Sequence, residues 1–138
     1  MKILLSIMFA FLLFTNAYGD TPGLKPQTQG DVTFVSGGVG EDEHKALRAI
    51  QDQYNLHLTF AVKGSGEFAS GVKVKIEDSK GHTFLDTTTT GPNLFVQLKP
   101  GHYKVTASRD NQVLTEEVAA PTKHGTAVVF HFPTEKGD

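Results

Sequence analysis

The sequence predicts a mainly β protein, an antiparallel seven-stranded β-sandwich with one N-terminal helix packed on it. Three observations predict it. From Tyr54 onward, apolar residues alternate with polar ones at a period of two. Turns rich in Gly, Pro, Asn and Asp break these runs at intervals of about 8–12 residues, the spacing of sandwich strands. Only Glu41 to Gln53 carries the 3.6-residue period of an amphipathic helix. The strands read as hairpins, so no parallel α/β sheet is indicated.

A chain of 138 residues suits one domain. Lys and Arg number 13 against 15 Asp and Glu, a net charge of -2 without the basic excess of a nucleic-acid binder. With 38% hydrophobic and 20% charged residues, the composition is that of a folded protein. There is no Cys, so no disulfide staples the fold and core packing must hold it.

Taken in order, Met1 and Lys2 precede an apolar run, Ile3 to Phe14, broken only by Ser6. Ala17-Tyr18-Gly19 then places small residues at the positions a signal peptidase reads. Residues 1–19 are therefore expected to be a secretory signal, cleaved before Asp20. A membrane span needs about 20 apolar residues, and this run is shorter. The expected location is periplasmic or secreted, with no membrane anchor after cleavage. Residues 20–30 hold two Pro, two Gly and several polar residues without periodicity and read as a flexible leader.

The sandwich is expected over residues 31–132. Val32 to Val35 is a short strand ended by Ser36-Gly37-Gly38. The helix follows at 41–53, with Glu41, Asp42 and Glu43 at its positive end and Leu47, Ile50 and Tyr54 along one stripe. Tyr54, Leu56, Leu58, Phe60 and Val62 alternate with Asn55, His57, Thr59 and Ala61 as a half-buried strand. Val72, Val74 and Ile76 form the next, Asp78 to Gly81 a turn, and His82 to Thr89 the return strand. Leu94, Val96 and Leu98 face inward before the Lys99-Pro100-Gly101 turn, where Pro presets φ. Tyr103, Val105 and Ala107 are the partner strand; Gln112 to Val118 and Ala127 to Phe132 complete the set, and residues 133–138 make a polar tail.

The run Leu98-Lys99-Pro100-Gly101-His102-Tyr103-Lys104-Val105 resembles the L-x-P-G-x-Y-x-V signature of carboxypeptidase regulatory-like, or prealbumin-like, sandwich domains. The resemblance covers about Ser70 to Val118. It implies a fold rather than an activity, because the signature describes a turn and its inward-facing neighbours. Two related groups have chemistry. Transthyretin-like hydroxyisourate hydrolases carry a terminal Tyr-Arg-Gly-Ser motif, whereas this sequence reads Phe132-Pro133-Thr134-Glu135-Lys136-Gly137-Asp138. Collagen-binding B-type repeats place an acid soon after the Tyr-x-Val strand to assist an isopeptide bond; here that strand runs into Thr106-Ala107-Ser108. The resemblance implies neither activity.

Histidine is the compositional oddity, at six residues. Imidazole ligates Zn or Cu, and two outward His on neighbouring strands suit one ion. His57 and His131 both alternate outward and are the metal-site candidates. His44, His82, His102 and His124 lie on the helix or beside turns, and none of the six has H-x-H or HExxH spacing. Ser36 to Gly40 resembles a phosphate loop only superficially, since no Lys-Ser/Thr follows and three acids do. There is no G-x-S-x-G elbow and no cysteine nucleophile, so no enzyme and no cofactor are expected. Thr87 to Thr90 read as a strand-favouring row whose hydroxyls suit a sugar or a chain edge. Phe68 and Phe95 fall outside the core pattern; either one of them anchors a partner or both meet the helix stripe of Leu47, Ile50 and Tyr54, and the second is expected. The expected function is a secreted or periplasmic, non-catalytic binding or accessory module for a protein or envelope polymer. The alternative is a small periplasmic metal-binding protein using surface histidines.

Overall fold

The computed structural model describes residues 24–134; the expected signal segment, residues 20–23 and residues 135–138 lie outside the described residues. In chain order the elements are β1 (Gln27–Gln29), β2 (Val32–Gly37), α1 (Gly40–Ile50), a 3-10 turn (Gln51–Gln53), β3 (Leu56–Val62), β4 (Lys73–Glu77), β5 (Thr83–Thr88), β6 (Asn93–Gln97), β7 (Gly101–Arg109), β8 (Gln112–Ala120) and β9 (Thr126–Phe132). One sheet has the order β1-β2-β6-β3-β9 and the other β5-β4-β7-β8.

The period-two alternation does what it predicts. Phe34, Leu56, Leu58, Phe60, Leu94, Val96, Phe130 and Phe132 from the first sheet meet Val74, Ile76, Leu85, Val105 and Ala107 from the second in one buried core. These two inner faces make the molecule sandwich-like. Leu98 and Tyr103 flank the Pro-Gly turn and lie in the same core. The Tyr103 hydroxyl donates to the Lys99 carbonyl at 2.6 Å, closing the turn.

The helix is the third layer. It lies on the outer face of the five-stranded sheet, where Ala46, Leu47 and Tyr54 bury against Val35 and Phe95. That cover explains why β6 is buried on both faces. The helix is 11 residues long rather than running to 53. It tightens into the 3-10 turn, whose Gln51 carbonyl accepts from the Tyr54 N–H at 3.1 Å as the chain enters extended conformation. The apolar stripe crosses this change of pitch, because Tyr54 still packs with Leu47.

Three expectations are corrected. Among the described residues there are nine strands, not seven: the eight segments expected above each form one, and β1 is added. The added β1 lies in the expected flexible leader and pairs with β2 across a two-residue Gly30-Asp31 turn, with Gly30 at φ 55°. Gln-Thr-Gln offers no apolar alternation to find it by, and just before it Leu24 is buried in the helix cluster. Finally, the sheet is not wholly antiparallel: β9 pairs with β3 in parallel, from Leu56↔Thr126 to Val62↔Phe132. The chain leaves the second sheet after β8 and crosses to the first through 121–125, which reverses the sense in which β9 arrives.

Candidate functional site

The histidines do not converge. His57 lies opposite Ala127 and His131 opposite Ala61 in the parallel β3–β9 pair. Both therefore occupy the outer face, but four register positions apart, about 13 Å along the strands at ~3.3 Å per residue. One ion does not bridge that distance, so the register corrects the expectation of a shared site. His57 is also engaged. Its ring packs on Phe95 with centroids 4.5 Å apart, and Nε2 lies 2.9 Å from the Gln51 carbonyl, to which it donates. His131 is exposed, and His82 sits with Nδ1 3.3 Å from the Asp78 carboxylate in the β4–β5 turn. Among the described residues, no group of three or more His, Asp or Glu stands close enough to hold a metal.

A polar recess beside that turn is lined by Glu77, Asp78, His102, Tyr103, Lys104 and Glu117. Two of its three acids, Asp78 and Glu77, are engaged. Asp78 Oδ1 accepts from the backbone N–H groups of His82 and Lys80, both at 2.9 Å. The His82 N–H foremost holds the Asp78 carboxyl below the ordinary carboxylate range, against a smaller opposing effect of desolvation. Lys75 and Lys104 approach Glu77 at 3.9 and 4.0 Å. A carboxylate stabilised in its charged form is a poor proton acceptor. Nor is the threonine row a free hydroxyl surface. Thr89 is buried and its Oγ1 accepts from the Val72 N–H, while the Thr90 hydroxyl donates to the Ser36 carbonyl.

The remaining site lies where the helix begins. A groove of ≈ 440 Å³ is lined by Gly38, Val39, Gly40, Glu41, His44, Phe68, Ser70 and Pro92. Its walls are apolar and open to solvent: Val39 is 59% and Phe68 61% exposed. Phe68 was expected under the helix stripe with Phe95. Only Phe95 is there; Phe68 meets the His44 ring at the start of the helix instead, ring centroids 6.0 Å apart. The backbone holds Phe68 in this position. It forms an isolated antiparallel bridge with Ala61, flanked by the Val62 N–H donating to Glu67 O at 2.7 Å and the Ala69 N–H donating to Phe60 O at 2.9 Å. Residues opposite one another in such a pair point to the same face. Ala61 faces outward, and so does Phe68.

The opposite wall is built by glycine. Gly38 has φ 102° and Gly40 φ 80°, conformations that turn the chain out of β2 into the helix. At Gly38 a Cβ would run into the Asn93 side chain. Glu43 Oε1 accepts from the Gly38 and Val39 N–H groups at 3.0 and 3.1 Å just ahead of the helix, and Glu41, Asp42 and Glu43 fill its first turn with negative charge that disfavours an anion there. The sequence marked Phe68 through its place in a Gly-rich stretch; Val39, His44 and Pro92 carried no signal that they would join it.

No protein-family model matches the chain, and no curated protein matches it in sequence.

Proposed function

We propose that this chain is a secreted or periplasmic, non-catalytic binding module of the carboxypeptidase regulatory-like type that holds a protein or envelope polymer at the Phe68 groove. The observation that carries the reading is Phe68 itself. A large aromatic ring stands 61% exposed on a hydrogen-bonded segment, beside the equally exposed Val39. Apolar side chains grouped and held this way are the usual anchors of interfaces. The family reading is supported by Leu98, Tyr103 and Val105, which are buried around the Pro100-Gly101 turn as the signature requires.

A photoreactive phenylalanine analogue at position 68 tests the function in the protein's native compartment, with the same analogue at the exposed Val113 on the other sheet as control. One discrete adduct from position 68, absent from 113, is the expected result. Equal labelling from both positions overturns the reading. Export is tested separately by intact mass. Loss of residues 1–19, leaving Asp20 first, is expected, and a mass retaining them refutes the secretory half of the proposal.

A further inference from the structure

We infer that the groove recognises an extended polypeptide segment, cationic on one face and apolar on the other, which pairs its backbone with Phe68. The inference rests on the groove being the binding site proposed above and specifies its ligand. In the Ala61–Phe68 bridge the two hydrogen bonds are made by the neighbouring residues, so Ala61 and Phe68 form the non-hydrogen-bonded kind of antiparallel pair. The Phe68 N–H and C=O therefore point away from β3. Among the described residues neither group has a hydrogen-bond partner. The line of β2, which would have covered this side, stops at Gly37, where the chain turns off into α1. What remains is a short open sheet edge carrying an exposed aromatic ring, and such an edge adds a peptide strand by backbone pairing.

The charge follows from the rim. Glu41 lines the groove, Asp42 follows it on the helix, and Glu67 precedes Phe68. All three are exposed, and among the described residues no ion pair engages them. Glu43, by contrast, is occupied at the helix start. Apolar side chains of the segment would cover Phe68, Val39 and Pro92, and Lys or Arg side chains would reach Glu41 and Glu67. A neutral sugar would leave these carboxylates without partners of opposite charge.

The test is amide-resolved NMR of the full chain as the cell processes it. The probe is an acetylated, amidated Lys-Leu-Lys-Leu-Lys peptide. Its comparisons are the same peptide N-methylated at the central residue, a Glu-Leu-Glu-Leu-Glu counterpart, and a chitin tetrasaccharide. The cationic peptide is expected to move the Val39, His44 and Phe68 resonances and to slow exchange of the Phe68 amide about tenfold. N-methylation and charge reversal of the peptide should each abolish both effects. Phe68→Ser should weaken binding about tenfold while leaving the Tyr54 and Phe95 signals in place. The paired change Glu41→Gln and Glu67→Gln should weaken it less and flatten its salt dependence. Perturbation by the tetrasaccharide or the acidic peptide but not by the cationic one overturns this inference and leaves the binding-module reading standing. If no probe perturbs the groove while the position-68 adduct forms, the inference again falls alone. If neither appears, both fall.

Discussion

Asn55 sits 6% exposed where three segments meet, and its side chain satisfies all of them. Nδ2 donates to the Leu98 carbonyl at 2.7 Å and to the Pro121 carbonyl at 3.0 Å, and Oδ1 accepts from the Leu98 N–H at 2.9 Å. The Asn55 backbone carbonyl accepts from Thr126 at 3.0 Å. One amide thus joins the start of β3 to the Pro-Gly turn and to the crossing between the sheets. Replacing Asn55 with Ala strands buried backbone groups at Leu98, and the expected loss is about 3 kcal/mol, read as a lower urea midpoint at unchanged m-value. Alternation alone puts Asn55 on the solvent side of its strand, and the structure buries it. The local pattern records only that the residue is polar. The partners that make its burial favourable lie 43 and 66 positions away. Phe68 is the converse: an apolar residue left exposed, legible as an exception to the core pattern but not as part of a groove.

At the scale of the element, the helix shows how a local pattern is completed by contacts. Its acidic start and its apolar stripe were both legible, because charge near a helix end and a 3.6-residue period are properties of neighbours in sequence. What the stripe packs on was only partly legible, since Phe95 meets it and Phe68 does not. His57, which alternation leaves outward and available for metal, instead ties the end of the helix to the sheet through Gln51. Tyr54 makes this docking sensitive to alkali. Burial pushes its phenol above the ordinary value of 10.0, because the phenolate is the form that desolvation penalises. The folded state therefore holds the proton more tightly than the unfolded chain. The stability Tyr54 contributes is complete below pH 10 and is lost as pH rises through the higher folded value. Urea midpoints measured at pH 8 and pH 11 should fall further for the native chain than for Tyr54→Phe. An equal fall in both would show that Tyr54 is not responsible.

For the whole molecule, the sheet edges matter most. On one side Gln29 of β1 reaches the edge strand β5, its Oε1 accepting from the Asp86 N–H at 3.0 Å and its Nε2 donating to the Asp86 carbonyl at 2.8 Å. The side-chain amide occupies the place of a neighbouring strand. On the other side Thr126 bonds the Ala119 carbonyl and Gln112 bonds the Pro133 carbonyl, drawing β8 alongside β9. Glu116, opposite the buried Val105, puts a charge at an inward register position of β8 and discourages pairing there. Gln29→Ala should uncover the β5 edge. The expected outcome is a loss of about 1 kcal/mol and concentration-dependent association by light scattering, with Gln27→Ala as the neutral control. With the long edges managed in this way, the short opening at Phe68 is where the proposed partner segment would add. The faces of the apolar strands, most of the turns, and the acidic start and apolar stripe of the helix were determined by the sequence alone, because each depends on side chains a few positions apart. The parallel seating of β9, the strand status of Gln27–Gln29, the four-residue offset between His57 and His131 and the groove at Phe68 were decided by the tertiary structure. Each depends on which distant segments lie side by side, and alternation along a strand is the same whichever neighbour it acquires.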